Sequence, residues 1–186
     1  TVYATSMIYA SLKTVACWHH PLTPACYLMF AASGGLLASI WLLALADQSL
    51  NSRIYHLTYC LLILTWLVKG FWWRNLDKKL PESTLESATG LGNFGKVRPL
   101  MPPHTSENYL QTEMGFVVAR RHALKLRILS VLSGGVIPLV LFISHPSSAG
   151  FLSLALSFHF AGVFVERWLF FAEAKHVVSL YYGEAH

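Results

Sequence analysis

Four long apolar runs alternate with short polar breaks along the chain, and they predict helices that cross a membrane. The hydrocarbon core of a bilayer is about 30 Å thick and needs about 20 helical residues. The runs lie at about 26–46, 55–73, 128–145 and 150–172. The last two predict a helical hairpin, because a turn at His145-Pro146 divides one stretch without Asp, Glu, Lys or Arg. Gly134, Gly135 and Pro138 predict a kink in its first arm.

Two further segments flank these runs. Residues 1–16 are apolar and small but too short to span, so they predict the last turns of a helix that ends at Lys13. The chain begins at Thr1 rather than at Met, and we expect a fragment whose upstream helices are missing. Residues 74–127 carry most of the charges, which predicts a basic extramembrane loop. The expected fold is all-α: one membrane-anchor domain over 1–186, a polytopic transmembrane helical bundle of about four full spans plus the end of a preceding helix.

The composition agrees with a membrane protein and disagrees with a soluble one. The chain is 54% hydrophobic and 12% charged, whereas a soluble domain carries about 25% charged residues. So few charges cannot cover a water-facing surface. The net charge is +5, but no basic patch alternates with aromatic residues on a polar face. The expected partner surface is therefore the lipid bilayer, and no nucleic acid is expected.

The basic residues collect on one side of the expected bundle. We call the side that holds Lys13 side A and the opposite side side B. Arg53 is the one Lys or Arg assigned to side B, and Arg167 lies inside a span. The others fall on side A, which the positive-inside rule places in the cytoplasm. Lys69 and Arg74 flank an aromatic cluster at the end of the second span, and we expect interfacial anchors whose charged ends reach the headgroups.

A glycine-rich segment and three cysteines are possible cofactor sites, but neither has the sequence context that such a site needs. The segment 90–95, Gly-Leu-Gly-Asn-Phe-Gly, matches G-x-G-x-x-G, but a dinucleotide site needs that motif between a strand and a helix of a βαβ unit. Cys17, Cys26 and Cys60 form no CxxC pair, so no iron–sulfur or zinc site is expected. We expect these cysteines to be small buried apolar side chains, and we expect no metal and no covalently bound cofactor.

Polar residues near side A are the candidate functional residues. Glu166 and Arg167 lie in the last apolar run, where a charge is costly unless it is paired. They either pair locally with loop residues or line a proton or quinol path. Tyr9, His19 and His20 lie where the first helix reaches the headgroup level. Such side chains can donate hydrogen bonds to a quinone carbonyl or move its protons, and interfacial anchoring is the alternative.

A different class of function would use the histidines of side B. His56, His145 and His159 lie in that half of the helices. Two imidazoles that face each other across helices can hold a haem b iron, as in a di-haem cytochrome b electron-transfer subunit. The alternative interpretation is polar residues at helix ends and interfaces. A transporter is disfavoured, because the spans show no internal repeat.

Two blocks at the ends of the chain share features with one family of membrane proteins. One is Met-Ile-Tyr-Ala-Ser-Leu-Lys-Thr-Val at 7–15, followed by Trp-His-His-Pro-Leu-Thr-Pro at 18–24. The other is Ala-Gly-Val-Phe-Val-Glu-Arg-Trp-Leu-Phe-Phe at 161–171, continuing through 176. Together they resemble the dimethyl sulfoxide reductase anchor subunit family, DmsC. The order of the spans fits the C-terminal half of that family, from the end of its fourth helix through its eighth.

The resemblance implies a role in anaerobic respiration. Anchors of this family hold an iron–sulfur electron-transfer subunit and a molybdopterin catalytic subunit at the bacterial inner membrane. They oxidise menaquinol, pass the electrons to the iron–sulfur subunit and carry no haem of their own. In related polysulfide-reductase-type subunits the quinol site lies among the first four helices. Tyr9 would match a fourth-helix tyrosine of that site, and the rest of the site would lie upstream of Thr1.

The basic loop is the expected docking surface for the iron–sulfur subunit. Its end, 113–127, predicts a short interfacial helix that carries the docking candidates Arg120, Arg121 and Lys125. Some members of the family place this loop and the C-terminus outside the cytoplasm, whereas the charge distribution favours the reverse. Long loops can be translocated despite their charges, so the orientation stays open.

Overall fold

The computed structural model describes residues 1–48, 51–78, 84–98, 100–101, 117–174 and 177. No strand occurs in these ranges. Their helices are α1 (Val2–Ala10), α2 (Leu22–Leu45), α3 (Ser52–Asp77), α4 (Leu85–Thr89), α5 (Val117–Arg121), α6 (Ala123–Ser144) and α7 (Ala149–Ala172). Within α6, the five residues Leu132–Val136 form a π-helical turn.

The helices α2, α3, α6 and α7 are long and apolar enough to cross a membrane. They have 22 to 26 residues, which corresponds to about 33–39 Å at a rise of about 1.5 Å per residue. This confirms the expected all-α polytopic bundle. Most of the helix ends lie beyond the apolar runs, because hydropathy marks only the part of a helix that lies in hydrocarbon. α3 begins at Ser52, where the Asn51 side chain accepts a hydrogen bond from the Arg53 N–H.

The segment predicted as a basic loop over 74–127 is shorter than expected at both ends. α3 continues to Asp77, and α6 begins at Ala123. The short helix predicted over 113–127 corresponds to α5 and the first turn of α6, and residues 113–116 lie outside the described residues. The glycine motif at 90–95 follows the helix α4, which Gly90 ends with a φ of 70°. A strand does not precede the motif in the described residues, contrary to what a dinucleotide site requires.

α2 lies at the centre of the bundle and packs against α1, α3 and α7. α7 also packs along α6, whereas α3 meets α6 mainly at the π turn. Each half of the bundle has an apolar core. The buried residues of the side A core are Cys26, Phe30, Trp66, Trp72, Trp73, Leu169 and Phe170. Those of the side B core are Leu37, Ile40, Leu62, Phe142 and Leu152.

Large apolar side chains also cover the outside of the bundle. Phe164 on α7 is 80% exposed, and Leu67 on α3 is 64% exposed. A soluble protein rarely exposes such continuous apolar surface, so these faces are suited to contact with lipid. The cysteines are likewise found both inside the bundle and on its outer surface. Burial is confirmed for Cys17 and Cys26, but it is wrong for Cys60, which lies on an exposed face of α3.

α6 and α7 come into very close contact at two glycines. A Cβ atom added to Gly162 would overlap the backbone N and Cα of Gly134. α6 also lies close to α3 at this level: a Cβ added to Gly135 would be 2.8 Å from Cδ1 of the Trp66 ring. The irregularity that the sequence predicts at Gly134, Gly135 and Pro138 therefore takes the form of a π turn.

Candidate functional site

A buried cluster of charges joins α3 to α7 in the side A half of the bundle. Nζ of Lys69 lies 2.6 Å from Oε1 of Glu166, and these side chains are 1% and 0% exposed. Arg167 forms a fork on the same carboxylate: its Nε donates to Oε2, and its Nη2 donates to Oε1 over 2.8 Å. Glu166 is six residues from the end of α7, or about 9 Å along the helix axis. The carboxylate therefore lies within the span.

The burial of Lys69 corrects the prediction of an interfacial anchor at the end of the second span. Lys69, Trp72 and Trp73 are 1%, 2% and 6% exposed, so that prediction is wrong for these three side chains, whereas Phe71 is 54% exposed. The three positions are three and four residues apart and therefore share one face of α3. That face turns towards α7, where Glu166 supplies the countercharge. Arg74 lies on the outside of the helix and is exposed, as expected.

Aromatic rings hold the two cations of this cluster. Nζ of Lys69 lies 3.4 Å from the centroid of the Trp72 ring, on its own helix. Cζ of Arg167 lies 4.4 Å from the Tyr27 ring of α2 and 4.8 Å from the Phe170 ring of α7. Cation–π contacts are strongest where water is excluded, at about 2 kcal/mol or more. They offset part of the cost of burying these charges.

The cluster contains more positive than negative charge. Within the cluster, the carboxylate of Glu166 pairs with both Lys69 and Arg167, and a further carboxylate on which the charge of Lys69 acts, that of Glu173, is paired with Arg127. Nη1 of Arg167 is buried and has no hydrogen-bond partner among the described residues. Positive charge without a full countercharge is costly inside a span. The arrangement is therefore suited to an additional hydrogen-bond acceptor or anion.

Tyr9 lies in an aromatic cluster that reaches the same arginine. Its ring packs edge-on against Trp18, at 5.2 Å between centroids, and against Phe170, at 5.6 Å. It stacks on Tyr27 at 5.9 Å, and Tyr27 in turn contacts Arg167. Within the described residues, the Tyr9 hydroxyl makes no hydrogen bond. The structure thus brings together Tyr9, Glu166 and Arg167 from the candidates that the sequence suggests.

His19 and His20 lie outside this cluster, in the connection between α1 and α2. The Nδ1 of His19 hydrogen-bonds to the backbone carbonyl of Ala10 over 2.7 Å. The Nδ1 of His20 accepts a hydrogen bond from the Leu22 N–H at the start of α2. Partial burial lowers the pKa of the His20 imidazole, which agrees with an unprotonated Nδ1. Both side chains bind helix ends, and a role for them in quinol binding stays a prediction.

The docking candidates occupy different surroundings. Arg120 is half-buried, and its Nε and Nη2 donate to the carbonyl oxygens of Ala172 and Ala174. It thereby satisfies backbone acceptors at the C-terminal end of α7. Arg121 and Lys125 are exposed. A docking role for these residues stays a prediction, and the exposed pair is better placed for it than Arg120.

Arg127 connects the side A ends of three elements. Its Nη1 donates to Asp77 at the end of α3, and its Nη2 donates to Glu173 just beyond α7, each over 2.7 Å. Burial raises the pKa of the Glu173 carboxyl, while the charge of Arg127 acts in the opposite direction. This network fixes the end of the bundle next to the buried cluster.

The three side B histidines have three different environments. His159 is 1% exposed, and its Nδ1–H donates to the carbonyl oxygen of Gly134 in the π turn. Its Nε2 faces the backbone of α2, only 3.3 Å from where a Cβ on Gly34 would lie. His56 is exposed, and His145 packs on Phe151. A haem needs an open imidazole nitrogen on each ligand, and the packing of His159 against two helix backbones does not provide this.

Sequence reasoning finds Glu166 and Arg167 but misses Lys69 and Tyr27. For Lys69 a signal exists: it lies eight residues inside the last residue of a long apolar helix, and a charge at that depth calls for a partner in another span. Tyr27 carries no such signal, because a tyrosine in an apolar run is typical of a core or an interface. Only the packing of α1 and α7 around it shows its position between Tyr9 and Arg167.

Comparison with known proteins gives two matches over nearly the whole chain. The family model described as DMSO reductase anchor subunit (DmsC) matches residues 1–183. A sulfite dehydrogenase subunit of Allochromatium vinosum is 30% identical over 198 aligned residues, which cover 96% of this chain and 55% of that relative. The chain therefore spans about half the length of the relative. No solved structure matches.

Proposed function

Because this chain belongs to the DMSO reductase anchor subunit (DmsC) family, we propose that it is part of a haem-free respiratory anchor that oxidises menaquinol. The anchor would pass the electrons to an iron–sulfur subunit bound to a molybdopterin catalytic subunit, at the bacterial inner membrane. The four apolar spans agree with a multi-pass membrane protein. In such a complex the terminal substrate would be set by the catalytic subunit.

The observation that supports quinol handling is the continuity from Tyr9 through Tyr27 to the buried charges. Oxidation of menaquinol gives menaquinone, two protons and two electrons. A site for it needs an apolar slot for the ring, hydrogen-bond partners for its oxygens and groups that accept protons. The Tyr9 hydroxyl and Nη1 of Arg167 are donors without a partner in the described residues. We assign them to the two ring oxygens of the quinol.

In this proposal Glu166 and Lys69 orient Arg167 and lie on the route by which the protons leave. Glu166 holds the Arg167 guanidinium by two hydrogen bonds and so fixes the direction of Nη1. Lys69 holds Oε1 of the same carboxylate. Protons released from menaquinol would leave by side A, where the cluster is nearest to the helix ends, and the electrons would pass to the iron–sulfur subunit.

Replacing Tyr9 with phenylalanine tests the assignment of its hydroxyl. The change keeps the ring and its contacts with Trp18, Tyr27 and Phe170. We expect menaquinol oxidation by the full-length complex in membranes to fall on the order of tenfold, because one hydrogen bond to the substrate is lost. Tyr3→Phe is the matched control, since Tyr3 lies on the same helix and is 58% exposed.

Two results would count against this assignment. Equal rates for Tyr9→Phe and wild type would remove Tyr9 from the quinol site. A haem b α-band in a dithionite-reduced minus oxidised spectrum of the same complex, lost with His159→Ala, would contradict the haem-free anchor and favour the cytochrome.

The similarity to a sulfite dehydrogenase component favours a second direction of electron flow. A dehydrogenase removes electrons from its substrate, so an anchor in such a complex would reduce a quinone rather than oxidise a quinol. The same residues serve both directions, because the site binds both redox forms. Assays of the membrane complex with a menaquinol analogue and with the oxidised quinone separate the two proposals.

Docking of the iron–sulfur subunit is tested by reversing the exposed charges. We expect Arg121→Glu with Lys125→Glu to release about 90% or more of that subunit from membranes, because like charges across an interface are strongly disfavoured. Arg120 is left unchanged, since it binds the end of α7. Arg53→Glu is the control, an exposed cation on side B. Full retention of the subunit by the double variant would exclude this surface as the dock.

A further inference from the structure

A groove opens on the outside of the bundle between the side A ends of α3 and α6. It has a volume of 620 Å³. The two helices pack closely at the π turn, where Trp66 lies against Gly134 and Gly135, and less closely beyond it. The wall of the groove includes apolar side chains from successive turns of α6: Leu124, Ile128, Val131 and Leu132. Leu124 and Ile128 are 69% and 52% exposed.

The mouth of this groove carries surplus positive charge. Arg74 and Lys78 line it, and among the residues that the structure describes neither forms a salt bridge. Arg127 also lines the groove, but its guanidinium is already paired with the carboxylates of Asp77 and Glu173. An apolar wall inside the membrane beneath free basic groups at the headgroup level matches the two parts of a phospholipid.

The groove is separate from the buried charge cluster. The Trp73 ring lies between them, 5.1 Å from Nζ of Lys69 and 5.6 Å from Cζ of Arg127. Neither Arg74 nor Lys78 contacts Glu166 or Arg167 in the described ion pairs. A ligand in the groove would therefore be distinct from the quinol.

We propose that this groove binds an anionic phospholipid of the surrounding bilayer. One acyl chain would lie along Ile128, Val131 and Leu132, and the phosphate would lie between Arg74 and Lys78. The charge of the headgroup decides the occupant, because a zwitterionic lipid or an apolar helix offers no net countercharge to these two cations. A bound lipid would fill the gap between α3 and α6 and so hold these helices together at side A.

The test is native mass spectrometry of the full-length protein in detergent micelles with added phosphatidylglycerol or phosphatidylcholine. We expect the wild type to retain phosphatidylglycerol in preference to phosphatidylcholine. The double variant Arg74→Gln with Lys78→Gln should lose on the order of thirtyfold in phosphatidylglycerol affinity, since it removes both basic residues that would contact the headgroup. Arg53→Gln makes the same type of change on side B and should leave binding unchanged.

A second variant tests the apolar wall. Ile128→Trp places a large ring in the groove on an exposed position of α6, and it should lower the retention of both lipids. Equal retention of the two lipids by the wild type would overturn the proposal. So would unchanged phosphatidylglycerol binding in the double variant, or an equal loss in Arg53→Gln, which would show attraction to overall charge.

Discussion

Replacing Glu166 with glutamine is expected to destabilise the bundle by about 3–5 kcal/mol, the cost of removing one partner from a buried ion pair. The substitution keeps the volume of the side chain, so it creates no cavity. It leaves the cations of Lys69 and Arg167 buried without their shared carboxylate. The measurement is thermal or denaturant unfolding of the purified protein in detergent, followed by tryptophan fluorescence. Trp72, beside Lys69, is among the rings that would report it.

Lys69→Met is the matched comparison, and its effect should be much smaller. Without Lys69, the pair of Glu166 and Arg167 remains neutral and keeps both of its hydrogen bonds. The loss of the contact between Lys69 and Trp72, about 2 kcal/mol when desolvated, is offset by the removal of surplus charge. Lys69→Met should therefore also stabilise the Glu166→Gln variant, by about 1 kcal/mol or more. Equal losses from the two single substitutions would show that charge balance does not govern the cluster.

The number and type of the spans could be predicted from the sequence because apolar runs of this length have few alternatives. The ends of the helices could not. α3 continues to Asp77, four residues past the apolar run, because the backbone hydrogen bonds of a helix do not depend on apolar side chains and Arg74, Asn75 and Asp77 can still adopt helical conformation. The glycines of α6 predict an irregular helix, but its π turn is in contact with Trp66 and His159 of two other helices, which local sequence does not reveal.

The candidate site could be predicted only in part, because the sequence does not show whether a charged side chain near the end of a span reaches the headgroups or turns into the bundle. Hydropathy treats a lysine near the end of an apolar run as an anchor that reaches the headgroups. Whether Lys69 does so depends on the rotation of α3, which turns it towards Glu166, a residue far along the chain. Arg120 is a second example. Its charge predicts an exposed residue that binds a partner subunit, whereas its guanidinium donates to the carbonyl oxygens at the end of α7. Local sequence gives the charge, and packing gives its partner.

Gly162→Val should have the second large effect, because Gly162 lies directly against the backbone of Gly134 where α7 packs on α6. Any Cβ on Gly162 overlaps the backbone of Gly134 and lies 2.7 Å from the carbonyl oxygen of Ser130. Overpacking usually costs about 1–3 kcal/mol, and the upper end or more is expected here because backbone atoms cannot rotate away. α6 and α7 must then separate, which also breaks the hydrogen bond from His159 to Gly134. We expect most of the protein to be lost from detergent extracts of membranes.

The other glycines provide the control for this prediction. A Cβ on Gly70 meets nothing within 4 Å, and Gly70 lies within the helix α3. Gly70→Ala should therefore stabilise the protein slightly, by about 0.5–1 kcal/mol, since alanine favours a helix over glycine. Gly162→Ala should lower the unfolding temperature in detergent while Gly70→Ala raises it or leaves it unchanged. If both alanine variants unfold at the wild-type temperature, the contact between α6 and α7 is looser than the structure shows, and the π turn is not fixed by it.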